Sequence, residues 1–248
     1  MTNQDVVVGV DIGGTNTVIG FVSEKGEILN QSSMPTRANE AASLFFNRLV
    51  ENINENRNGF TLKGIGIGAP NANYYKTTIE DPPNLDWGMV NVKEVMEDLI
   101  DLPVALTNDA NAAALGEMLF GAAKGIKDFV EITLGTGLGS GVVVNGQLVY
   151  GHDGFAGEIG HTVVEKNGRM CGCGKRGCLE TYASATGICR TVFQLLAEEN
   201  DDSELRNISY NDLTSKKIYE AAVNGDKIAL KAFTRTGQLL GEALSNTV

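Results

Sequence analysis

The sequence predicts an α/β protein made of two similar halves. A pattern of strand, glycine turn, strand, tight turn and strand occurs twice in it. The first copy runs over residues 6–10, 13–15, 17–22, 25–26 and 28–33; the second runs over 129–134, 135–141, 142–144, 145–146 and 147–150. Between and after these strands lie segments with apolar residues at helical spacing. The 248 residues, 42% of them hydrophobic, suffice for one large domain or two small ones. The expected division is an N-terminal domain over residues 1–118 and a C-terminal domain over 119–248.

Each element has its own signal. The β-branched run 6–10 ends at Asp11-Ile12-Gly13-Gly14-Thr15, where glycines let a phosphate approach backbone N–H groups. Asp11 can hold a magnesium ion or its waters, and Thr15 can donate to a phosphate oxygen; a tight hairpin without a ligand is the plainer alternative. Residues 39–54 read as a helix and 62–68 as a buried strand. Residues 69–73 read as a loop and 82–87 as irregular, with Trp87 in the core. A short helix over 92–99 and a short strand over 104–107 follow.

Asn108-Asp109-Ala110-Asn111 opens an alanine-rich run to Gly116, and either leading residue can serve simply as a helix cap. In the second copy of the repeat, Gly135-Thr136-Gly137 takes the place of Gly13-Gly14-Thr15, and Asn145-Gly146 is a hairpin turn signal. The run 135–141 is not a dinucleotide fingerprint, because Ser140 takes the last glycine position and a strand follows. Gly174-Lys175 does not end a P-loop: Arg169 stands at the first glycine position and Arg176 replaces Ser or Thr. Helices are expected through Ala185, over 188–196, over 215–223, and over 227–244 with Ile228, Leu230, Phe233, Leu239, Leu240 and Leu244 on the apolar face. Cys189 reads as a buried thiol, and the acidic stretch 198–204 as a solvated linker.

Reactive side chains gather in residues 154–180. One of the two histidines and three of the four cysteines lie there, at the spacing H-x9-C-x-C-x4-C, with a β-like run over 162–165. His161, Cys171, Cys173 and Cys178 make the Cys3His set of a closed structural zinc site. The alternative is three buried thiols or a disulfide, although Cys171 and Cys173 are too close in sequence to pair easily. Three cysteines and a histidine leave no open position for a catalytic water, so the expected role of zinc is to fix the loop. One imidazole nitrogen of His161 would bind the metal while the other faces a hydroxyl. Glu158, His161, Glu180 and Asn108 are groups suited to reading a polyol.

The motifs GEIGH and CGCGKRGCLE, with DIGGT, TNDAN and GTGLGSG elsewhere in the chain, resemble the ROK family of repressors and sugar kinases over nearly the whole length. The resemblance implies a hexokinase/actin-like (ribonuclease H-like) pair of domains with an interdomain active-site cleft and a nucleotide held between two glycine hairpins. It implies that Asp109 is the catalytic base, that Asn108 contacts sugar hydroxyls, and that ATP phosphorylates a hexose, glucose first. Asn16, where many relatives have lysine, and Asn71, where many have glycine, leave fructose, mannose and N-acetylmannosamine open. Relatives continue past the region matching Gly241-Glu242-Ala243-Leu244 with a strand, a glycine-rich turn near the adenosine and further helices. The C-terminal part is therefore expected to be missing, with a second sheet short of a member, unless a homodimer partner covers the gap.

Composition narrows the alternatives. The net charge of −11 argues against nucleic acid or anionic membrane as partner. Only residues 1–4 precede the first strand, so a helix-turn-helix of the repressor kind is not expected. No signal peptide is expected, no apolar run approaches ~20 residues, and the expected setting is a reducing cytoplasm, which suits metal-bound thiolates.

Overall fold

The computed structural model describes residues 4–247; the readings at residues 1–3 and at Val248 lie outside them. These residues fall into two compact units. One runs to Glu131 and takes in Gly141–Gly157; the other comprises Ile132–Ser140 and the chain from Glu158 on. A single cut after residue 118 is not what the units follow. It would fall inside the helix Asp109–Phe120, which continues past Gly116.

The first unit begins with β1 (Asp5–Ile12), β2 (Asn16–Val22) and β3 (Ile28–Pro35), an antiparallel meander. Val6, Val8, Val10 and Ile12 alternate along β1 and are all buried, as a strand with one covered face requires. Helix α1 (Ala42–Asn56) buries Phe45, Phe46, Leu49, Val50 and Ile53 at helical spacing. The Trp87 ring joins them at 4.9 Å from Phe45 and 5.9 Å from Phe46, and its Nε1–H donates to the Glu40 carbonyl at 3.1 Å. Trp87 is thus core, as expected.

β4 (Thr61–Gly68) follows and runs parallel to β1. The run read as a loop contains β5 (Ala72–Asn73), which forms a small antiparallel sheet with β6 (Thr78–Glu80) and β7 (Met89–Asn91), two strands in residues given no assignment from sequence. Strands of two or three residues are too short for an alternating pattern to show. α2 is shorter than expected, Val92–Glu97, and is capped by the Asn91 side chain. β8 (Val104–Thr107) then completes the main sheet in the order β3-β2-β1-β4-β8.

After α3 (Asp109–Phe120), β9 (Phe129–Leu134), β10 (Leu138–Val144) and β11 (Gln147–Leu148) form a sheet in the order β11-β10-β9. Asn145 and Gly146 both have positive φ, 53° and 74°, the type I′ geometry their sequence demands. β9 is an edge strand, and Leu134 on it is exposed.

From Glu158 on, the second unit is mainly helical. It contains α4 (Glu180–Ala183), α5 (Ala185–Glu198), α6 (Ser215–Val223) and α7 (Lys227–Ser245). Its core joins Ile188, Val192 and Leu195 to Ile218, Ala221, Ile228, Ala229 and Ala232. On α7 the buried face is therefore Ile228, Ala229, Ala232 and Ala243 rather than the larger residues: Leu230 and Phe233 are exposed. Alanines permit close helix packing, and their small side chains hide that face from a hydrophobicity reading. Cys189 is half-buried, with its thiol on the Leu213 carbonyl at 3.6 Å. The acidic stretch is tied down rather than free, since Lys231 pairs with both Glu199 and Asp201. The run 162–165 is not a strand, but Val164 and Glu165 both donate to the Gly177 carbonyl, and Thr162 accepts from Leu179. No described helix is long and apolar enough to cross a membrane.

Candidate functional site

In the first unit the predicted groups gather at strand ends. Gly13 N–H donates to the Asn16 carbonyl at 3.1 Å, closing the first glycine turn. The buried Thr36 takes up two carbonyls of that turn: its hydroxyl donates to Gly13 at 2.7 Å and its amide to Thr15 at 2.9 Å. The turn has no room for side chains. A Cβ on Gly13 would lie 2.8 Å from the Asn16 oxygen, and one on Gly14 would lie 2.8 Å from the Asn84 Cβ.

Asp11 sits one residue before the end of β1, and Asp109 is the first residue of α3. Partial burial and the nearby Asp109 carboxylate raise the Asp11 pKa above the ordinary aspartate value, although one side of Asp11 faces solvent. The linkage sign follows. A folded pKa above the unfolded one gives stability that is present below the unfolded pKa and lost as pH rises through the folded pKa. Asp11→Asn is therefore expected to melt at or above the native temperature at pH 7, with the difference shrinking at pH 4. Thermal melts at the two pH values check this, and a variant less stable at pH 7 than at pH 4 relative to the native chain contradicts it.

Asn108 does cap α3: its Oδ1 accepts from the Asn111 amide at 2.7 Å. Asp109 is exposed, with Oδ1 on the Ala110 amide at 2.9 Å, a placement the helix dipole favours. Of two neighbouring residues, sequence reasoning singled out Asn71 as a departure from relatives and missed Asn73. Asn71 has φ 52°, and its amide donates to the Glu80 and Asp81 carbonyls, each at 3.1 Å. Asparagine is the side chain best able to stand in for glycine in that conformation. Asn73 is fully buried; it donates to the Asp153 carbonyl at 2.9 Å and accepts from the Tyr75 and Lys76 amides. Its neighbour Tyr74 stacks on Tyr150 with ring centroids 4.1 Å apart.

In the second unit the glycine turn 135–137 is seated on the α4–α5 junction. The Gly135 carbonyl accepts from Ala185 N–H at 2.9 Å, and the Thr136 carbonyl accepts from the Thr186 hydroxyl at 3.0 Å. Just beyond, Leu138 N–H donates to Glu180 Oε2 at 3.1 Å. A Cβ on Gly137 would lie 2.5 Å from that same oxygen. The other Glu180 oxygen is 3.7 Å from Cys171 Sγ. Glu158 precedes a 3₁₀ turn (Ile159–His161), which is anchored where Ile159 N–H meets Ser140 Oγ at 3.1 Å. The structure thus places Glu158, His161 and Glu180 on one unit, around the turn 135–137 and the cysteine loop.

The four predicted metal ligands come together. Their donor atoms all lie within 4.8 Å of one another. His161 Nδ1 is 3.6 Å from Cys171 Sγ, and Cys173 Sγ is 3.7 Å from Cys178 Sγ. Tetrahedral bonds of the usual Zn–S and Zn–N lengths give edges of about 3.5–3.8 Å, which these two separations match, so the four residues could hold a zinc ion. None of the three cysteines is in a disulfide. Burial, with the neighbouring sulfurs, pushes the Cys171 thiol up to about 12. A bare thiolate is disfavoured there, and a divalent cation, if bound, would stabilise it.

A protein-family model described as the ROK family matches residues 7–248. The chain belongs to the ROK family. This ROK chain is 39% identical over 247 residues to a glucokinase of Halalkalibacterium halodurans, covering 96% of the chain and 75% of that relative. Among solved structures it is similar to a ROK family glucokinase from Streptomyces griseus in complex with glucose and AMPPNP. That likeness has a TM-score of 0.81 at 37% identity, over 98% of this chain and 78% of the other. It is also similar to a ROK family transcriptional regulator, a homolog of the E. coli MLC protein, with a TM-score of 0.88 at 26% identity over 98% of this chain and 62% of the other. The hexokinase-like α/β fold read from the motifs is thereby shown.

Proposed function

We propose that this ROK chain transfers the terminal phosphoryl group of ATP to a hexose hydroxyl, with glucose as the preferred acceptor. The observation that carries the reading is the pair at the strand ends of the first unit. The exposed Asp109 carboxylate lies near enough to Asp11 to raise its pKa, beside a glycine turn too tight for side chains. One acid accepts the hydroxyl proton and the other places magnesium, which is what phosphoryl transfer asks of a protein. The new O–P bond forms at the sugar oxygen as the bond to ADP breaks, and the proton passes to Asp109.

Gly13, Gly14, Thr15, Gly135, Thr136 and Gly137 face the phosphates in this reading, and Asn108, Glu158, His161 and Glu180 read the sugar. Magnesium, when bound, neutralises charge on the phosphates. Zinc, when bound, fixes the loop: His161 turns Nδ1 toward the sulfurs, which leaves Nε2 for a sugar hydroxyl. The similarity to glucokinases at 37–39% identity favours glucose. The reading also places the protein in the cytoplasm, where thiols stay reduced, and as a homodimer.

A second reading, a sugar-responsive regulator without kinase activity, draws on the likeness to the ROK regulator. Asn71, held in a left-handed conformation, keeps fructose, mannose and N-acetylmannosamine in the comparison. A coupled assay for ADP release across these hexoses, paired with calorimetric sugar binding, separates the readings. Glucose-dependent ADP release above the other sugars is expected. Binding without ADP release favours the regulator, and no binding of any hexose overturns both.

A further inference from the structure

The cysteine loop is held down by a residue that no motif singles out. Arg169 lies two residues before Cys171, half-buried, and among the described residues its guanidinium makes no ion pair. Its hydrogen bonds go instead to neutral oxygens. Nη1 donates to the Thr181 carbonyl at 2.9 Å and to the Gly187 carbonyl at 3.0 Å, and Nη2 donates to Gln194 Oε1 at 3.1 Å. Gln194 is itself oriented by donating to Glu198 at 2.8 Å. The guanidinium lies over the Tyr182 ring, 4.4 Å from its centroid, and the Arg169 amide donates to the Tyr182 hydroxyl at 2.9 Å. Only a planar, forked cation reaches two carbonyls and an amide oxygen while stacking on a ring.

These contacts converge on α4, which has four residues, Glu180–Ala183. A helix that short has no stability of its own, so its direction is set by what grips it. Arg169 grips Thr181 and Tyr182, the two residues after Glu180. The Glu180 carboxylate in turn reaches the Leu138 amide beside the second glycine turn.

We infer that Arg169 is a positioning residue that aims the Glu180 carboxylate; its effect on the sugar rests on the proposed function. The metal set does not depend on this grip. Cys171 N–H is bonded to the Lys175 carbonyl at 3.0 Å, and Gly177 and Leu179 are bonded to the 162–165 run. Loss of Arg169 therefore loosens Glu180 and leaves the zinc ligands together.

The test compares amide hydrogen exchange, zinc content and sugar affinity in the zinc-loaded native chain, Arg169→Gln, Glu180→Gln and the double variant. In Arg169→Gln the Leu138 amide is expected to exchange about tenfold faster. The Val149 amide, bonded to Val142 at 2.8 Å, is the unaffected reference, and zinc stays at one per chain. Glucose affinity is expected to fall about tenfold in Arg169→Gln and to fall no further when the change is made in Glu180→Gln. Arg169→Lys, which keeps charge and stem but not the fork, is expected to show the same acceleration at smaller size, and it carries the readout should Arg169→Gln fail to fold. Unchanged Leu138 exchange with zinc retained overturns the inference, as does loss of zinc in both variants or full additivity with Glu180→Gln. If the native chain binds no hexose, the proposed function fails while the exchange result still decides the role of Arg169.

Discussion

Asp109→Asn is expected to keep its sugar and lose turnover by about 10²–10⁴-fold. The substitution is nearly isosteric. An asparagine oxygen still accepts from the Ala110 amide, and the cap made by Asn108 on the Asn111 amide is untouched, so α3 starts as before. What disappears is the only function an amide cannot supply, acceptance of the proton from the attacking hydroxyl. Removing the charge also relieves Asp11, whose pKa the Asp109 carboxylate helps to raise, so the first unit has no reason to soften. The measurement is kcat from ADP release alongside calorimetric sugar affinity. A variant that retains most of its turnover means the base lies elsewhere.

Gly177→Ala is expected to empty the metal site. Gly177 has φ 81°, a conformation that costs a residue with a Cβ about 1–2 kcal/mol. The larger cost is steric. The added Cβ would overlap the Glu165 carbonyl oxygen and lie 2.7 Å from its carbon. That carbonyl cannot retreat, because Val164 and Glu165 both donate to Gly177 at 2.9 and 3.2 Å and Glu165 accepts from Gly168 at 2.9 Å. Strain at Gly177 passes directly to Cys178, the most buried ligand. Metal analysis of the purified variant should give well under one zinc per chain. Gly172→Ala, whose Cβ meets nothing within 4 Å, serves as the control and should stay loaded. Stoichiometric zinc in Gly177→Ala would falsify the account of this loop.

The first strands of the main sheet were legible as β-branched runs between glycine and tight turns, and α1 because its aromatic and aliphatic residues recur at helical spacing. The cysteine spacing marked four side chains that the fold does bring together. Less was legible between residues 69 and 91, where very short strands carry no periodicity, and on α7, where alanines line the buried face. The seating of Glu180 and the grip of Arg169 were beyond reach for a different reason. Both act on main-chain groups, Leu138 N–H and the carbonyls of Thr181 and Gly187, and any residue type offers those. Sequence shows which side chains are present; the backbone atoms they seek leave no mark in it.

Trp87 is the chain's single indole, packed against Phe45 and Phe46 with its N–H on the Glu40 carbonyl. Fluorescence excited at wavelengths beyond tyrosine absorption thus has one emitter, and its wavelength and quenching describe the α1 cluster alone. An emission melt times the wetting of that cluster and contains no direct signal from the four proposed metal ligands. Their state needs a chromophore of its own, such as the thiolate-to-metal absorption of a cobalt-substituted sample. Followed together in one heating ramp, the two colours would show whether the aromatic cluster and the metal loop come apart at one temperature or at two.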